Sequence, residues 1–119
     1  MYRVLVTFFI LVMSALPGIA VAHSPLTSTN PIDGAVLSAA PNTISLVFAK
    51  PATVIKLSVK QDAAGADLID LSKALDRVQN LEHSAPIPQL PAGQFTVKWR
   101  AMSKDGHLIK GDFSFAITD

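Results

Sequence analysis

The sequence contains no cysteine, which excludes disulfides, thiolate metal sites, thiol redox chemistry and cysteine nucleophiles. It also lacks an excess of charge of either sign. With the first 22 residues set aside, Arg3 drops out of the ten Lys and Arg, leaving nine against nine Asp and Glu. A neutral chain without basic clusters gives no reason to expect nucleic acid or an anionic lipid surface as a partner. No apolar run reaches the roughly 20 residues that a membrane-spanning helix needs. Ser24, Ser28 and Ser103 lack the flanking glycines of a nucleophile elbow.

What is present begins with a leader. Arg3 supplies a short positive segment, Val4 to Leu16 is almost unbroken apolar sequence, and Pro17-Gly18 precede the small-residue pattern Ala20-Val21-Ala22. This reads as a secretory signal peptide over residues 1–22, leaving one small domain over 23–119. Export, no disulfides and no eukaryotic processing signs point to a bacterial periplasm. No direct membrane insertion is expected after cleavage, and with no interface motif the domain is expected to be a monomer.

Alternation then indicates β structure. "NTISLVF" (42–48) places Ile44, Leu46 and Phe48 on one face, and "TVIKLSV" (53–59) brings Val54 or Ile55 into line with Leu57 and Val59. "GQFTVKWR" (93–100) aligns Phe95, Val97 and Trp99, and "GDFSFAI" (111–117) aligns Phe113, Phe115 and Ile117. Turn signals at Asn30-Pro31, Asp33-Gly34, Lys50-Pro51, Ala64-Gly65 and Pro91-Ala92-Gly93 separate these runs. Their spacing predicts an all-β sandwich or barrel of short strands. The exception is 70–81, where Leu71, Leu75, Val78 and Leu81 allow an amphipathic helix, or equally a strand followed by an irregular loop. Pro86 and Pro88 confine the segment after it to an edge strand.

Chemistry concentrates on the histidines, His23, His83 and His107. Cleavage after Ala22 would give His23 a free α-amine beside its imidazole, so that amine nitrogen and ring Nδ1 grip one metal ion as a chelate. An α-amine has an ordinary pKa of about 7.7–8.0, well below that of lysine, and yields its proton to a metal more readily. Asp105 and His107 flank Gly106. In an extended segment both would project to one side with Cα atoms about 6.5 Å apart, although Asp-Gly also suits a plain hairpin loop. An amine, two imidazoles and a carboxylate suit Cu(II) in a tetragonal arrangement, and zinc could use the same donors tetrahedrally. His83, after Glu82, is expected at the surface rather than as an accessory ligand. Met102 is expected to pack at a strand end, and Ser103 is a candidate to hydrogen-bond Asp105 or the His107 backbone.

"HSPLTSTNPIDGAVLSAAPNTISLVFAKP" resembles the opening of CopC-type periplasmic copper-binding proteins, with His23, Leu26, Pro31 to Gly34, Ala40-Pro41 and Phe48 in the family's places. "LPAGQFTVKWRAMSKDGHLIKGDFSFAI" is similar to the family's closing stretch, with its LPAG turn, Trp, S-x-D-G-H, Gly and F-x-F. The resemblance implies a cupredoxin-like or Ig-like Greek-key β-sandwich. It also implies one Cu(II) held by the amine and imidazole of His23 together with Asp105 and His107. It further implies a CopD-type inner-membrane copper transporter as a separately encoded partner. Some family members bind Cu(I) through a methionine-rich loop. Here Met102 alone remains after the leader, and one thioether cannot build that soft site.

Two functions compete. A periplasmic copper carrier or buffer, not an enzyme, uses all four donors for binding. A copper oxygenase acting on polysaccharides would also begin with histidine, but Asp105 would fill a position such an enzyme keeps open, and a lone buried tryptophan leaves little for a sugar-binding face.

Overall fold

The computed structural model describes residues 25–63 and 68–119. The expected leader, the cleavage site and His23 lie outside the described residues. Seven strands make up most of the rest: β1 (Leu26–Asn30), β2 (Ala35–Leu37), β3 (Thr43–Gln61), β4 (Leu68–Asp70), β5 (Asn80–Pro86), β6 (Gly93–Ser103) and β7 (Leu108–Ile117).

β3 organises the molecule. Its first half pairs antiparallel with β1 and β5, and its second half pairs antiparallel with β4 and β6. β6 continues into β7 by a hairpin, and β2 closes on β7 as a parallel strand. The two halves of β3 thus belong to two layers of an all-β sandwich. Ile44, Leu46 and Phe48 from the first half meet Leu57, Val59, Val97, Trp99, Phe113 and Phe115 in one buried core. At roughly 1.5–3 kcal/mol for each large apolar side chain withdrawn from water, this core is the main favourable term. No disulfide assists it.

Two irregularities explain how β3 serves both layers. The sequence places a turn at Lys50-Pro51, yet the strand runs through it. Between the pairs Val47–Glu82 and Ala52–Asn80, β3 carries four residues against one on β5, Leu81. Pro51 is tolerated because it sits in this bulge, where no ladder N–H is needed. A second bulge, between Val54 and Lys56, shifts the alternation by one residue. Val54 and Leu57 can then both face inward, with Ile55 half-buried between them.

The amphipathic helix allowed over 70–81 is absent. A single 3₁₀ turn at Ser72–Ala74 follows β4, and Arg77 takes a left-handed φ of 55° that no helix continues through. Leu71 is buried, but Val78 and Leu81 are exposed, so the periodic apolar set does not share one face. The alternative reading, strand then irregular loop, describes this segment.

Candidate metal centre

β6 and β7 are joined by a tight hairpin over Ser103–His107. The Ser103 N–H donates to the His107 carbonyl at 2.8 Å, and the Gly106 N–H donates to the Ser103 carbonyl at 3.0 Å. Gly106 has φ +87° with open space where a Cβ would sit, so glycine is required there by backbone conformation and not by crowding. Asp105 and His107 therefore come together through a turn, not through the extended segment expected from their spacing.

Within the turn the side chains form a chain of hydrogen bonds. Ser103 Oγ donates to Asp105 Oδ1 and accepts from the His107 N–H at 3.2 Å. His107 Nδ1 lies 2.7 Å from Asp105 Oδ2. A carboxylate only accepts, so Nδ1 carries a proton, and in the neutral ring Nε2 keeps its lone pair. The Ser103 hydroxyl, then the His107 ring and the His107 N–H, hold the Asp105 carboxyl down to about 2. Asp105 is thus anionic throughout the physiological range. Both side chains face solvent, His107 at 80% and Asp105 at 67% exposure. The expected contribution of Ser103 is present. Met102 departs from expectation: it lies on the outer face of β6 at 37% exposure instead of packing inward.

The strand register also fixes the approach of the chain's first described residue. The Ala49 N–H donates to the Pro25 carbonyl at 2.9 Å, and Ala52, three residues further along β3, pairs with Ser103. Pro25 and the hairpin are therefore anchored to the same bulge. Among the described residues no three acidic or imidazole side chains converge on one point; the structure brings together Asp105 and His107, and His23 lies outside it.

His83 is a correction. It is not at the surface but buried, with 3% of its side chain exposed. Nε2 sits 2.7 Å from the Ala52 carbonyl and 3.0 Å from that of Asn80. Carbonyls only accept, so Nε2 carries the proton and is unavailable to a metal. The ring stands edge-on to Phe48 at 5.8 Å, and Phe48 stands edge-on to Trp99 at 5.3 Å. Nothing in the local pattern of "LEHSAP" foretells this, because it depends on where the β3 bulge falls.

Comparison with known proteins agrees with this architecture. The family profile described as CopC domain matches residues 26–118. Copper resistance protein C of Escherichia coli is 33% identical over 107 residues, covering 82% of this chain and 83% of that protein. The crystal structure of CopC from Methylosinus trichosporium OB3b superposes with a TM-score of 0.65 at 23% identity, over 80% of this chain and 93% of that one, a likeness of fold. PcoC, a methionine-rich copper resistance protein from Escherichia coli, superposes with a TM-score of 0.59 at 28% identity, over 82% and 100%.

Proposed function

The chain belongs to the CopC family, and from that premise we propose that it is a periplasmic Cu(II)-binding protein, a carrier or buffer in copper resistance or homeostasis. The observation that carries the reading is the Ser103–Asp105–His107 hairpin. It presents an ionised carboxylate and an imidazole whose Nε2 is free. Each carboxylate oxygen has two lone pairs, so Asp105 can bind an ion while keeping its bonds to Ser103 and His107. His23 would supply the amine and imidazole that complete the set.

The anchoring of Pro25 supports that closure. Three residues of β3, at most about 10 Å, separate its bonding partner from the one opposite Ser103. Two residues lead back from Pro25 to His23, a reach of up to about 7 Å. The donors are nitrogen and oxygen, which favours Cu(II) over Cu(I). PcoC is methionine-rich, whereas Met102 is the one methionine among the described residues, so the reading includes no thioether Cu(I) site. The role is binding and delivery, with a CopD-type transporter as the receiving partner.

The test is at the terminus. Protein beginning at His23 is expected to take up one Cu(II), giving the EPR spectrum of a nitrogen-rich tetragonal site. Adding one glycine ahead of His23 should alter that spectrum and weaken binding. An unchanged spectrum and affinity would refute the chelate.

A further inference from the structure

We infer that His83 is a positioning residue for the copper-binding end: its ring staples the β3 bulge and thereby sets the separation of the two segments that carry the metal donors. The inference rests on the function proposed above.

The geometry is specific. The backbone of His83 pairs with Leu46, while its ring reaches past the bulge to the Ala52 carbonyl at 2.7 Å. One residue thus grips β3 on both sides of the segment that departs from the β5 ladder. Lys50 and Pro51 fall outside every strand pairing among the described residues. Without the staple, this stretch would be free to change length. Its two ends are the points that matter: Ala49 holds Pro25, and Ala52 pairs with Ser103 at the base of the hairpin. A change of even about 1 Å at a bulge is enough to misplace a donor.

The ring is suited to this task. Its Nε2–H is shared between the Ala52 and Asn80 carbonyls, and Ala52 and Asn80 are the register pair at which the β5 ladder resumes. The edge-on contact with Phe48 fixes the ring plane from the other side. Nδ1 lies 3.9 Å from Asp76 Oδ1, too far for a hydrogen bond, so the ring is directed by its Nε2–H, toward Ala52 at 2.7 Å and Asn80 at 3.0 Å.

The experiment compares His83→Met, which removes the donor, with His83→Gln, whose amide N–H reaches toward the place of Nε2. His83→Asn, whose amide falls short of Ala52, serves as the donor-displaced variant should His83→Met not fold. Ile117→Ala controls for general loss of stability, since Ile117 is buried at the opposite end of the β6–β7 ladder from the hairpin. Two readouts are taken on protein beginning at His23: amide NMR shifts of 49–52 and 103–108 without metal, and Cu(II) EPR with affinity. The donorless variants should move those amides, change the copper hyperfine splitting and lose about 10–100-fold in affinity, as supporting residues of metal sites do. His83→Gln should restore both, and Ile117→Ala should leave both as in the parent. If His83→Met melts earlier but keeps the parent amide shifts and copper spectrum, His83 is a packing residue and the inference fails. If the parent binds no copper, the functional reading fails instead, and the metal-free amide shifts still decide whether His83 sets the bulge.

Discussion

The two described histidines are the same side chain put to opposite uses. His107 closes the hairpin turn opposite Ser103, 80% exposed, with Nδ1 bound to a carboxylate and Nε2 facing no partner among the described residues. His83 is 3% exposed, with Nε2 committed to backbone carbonyls. What separates the proposed ligand from the proposed strut is which nitrogen is occupied and by what. A carboxylate on Nδ1 orients an imidazole toward a metal; a carbonyl on Nε2 ties it to the fold. Substitution of the buried ring's packing partners should therefore be read in stability, and substitution of the exposed ring in metal affinity, while His83 itself, as the staple of the bulge, should register in both.

The largest effect is expected at Phe48, the ring against which His83 stands. Phe48→Ala is expected to cost about 3–5 kcal/mol, measured by urea unfolding of metal-free protein. A loss below 1 kcal/mol would mean the aromatic contacts contribute little. The exposed side should behave in the opposite way. His107→Ala should lower Cu(II) affinity by about 100-fold, near 2.7 kcal/mol, while unfolding free energy stays within about 0.5 kcal/mol of the parent. Equal losses in both would show that the hairpin is structural.

Gly111 lies between these cases. A Cβ there would stand 2.7 Å from Trp99 Cζ2, so Gly111→Ala should cost about 1–3 kcal/mol through overpacking. Retention of parent stability would show that the indole moves aside easily. The smallest effect belongs to Ser103→Ala. Asp105 is held at about 2 chiefly by the Ser103 hydroxyl, and the variant should titrate closer to the ordinary 3.8 by carboxyl NMR. The sign follows: a carboxyl lowered by folding contributes stability above its ordinary pKa and loses it as pH falls through about 2. In Ser103→Ala the loss starts over the same range near 3.8, is smaller, and is complete at a higher pH. Above pH 5 neither protein should release copper through Asp105, leaving the nitrogen donors to set the acid sensitivity.

Much of the fold was legible because its signals are short-range. The alternation of Phe95, Val97 and Trp99 and of Phe113, Phe115 and Ile117 survives as β6 and β7. The Asp105–Gly106–His107 turn was legible only as the alternative hairpin reading of Asp-Gly, since the extended segment expected to bring the pair together does not form. β1, β2 and β4 were not, since three to five residues borrowed from a neighbour's ladder carry no pattern of their own. Nor was the continuity of β3, because Lys50-Pro51 spells a turn and becomes a bulge only when β1, β5 and β6 pair around it. The burial of His83 depends on that bulge and was hidden with it.

A 19-residue strand shared by both layers has a mechanical consequence. β1, β4, β5 and β6 all hydrogen-bond to it, so neither layer can peel away without unzipping a stretch of the same polypeptide that holds the other. Local opening should be restricted to the chain ends and exposed loops, and the central amides of β3 and β6 should exchange with solvent only when the whole domain unfolds. The molecule behaves as a frame hung on one beam, and the first of the beam's two bulges is where the copper donors are proposed to meet.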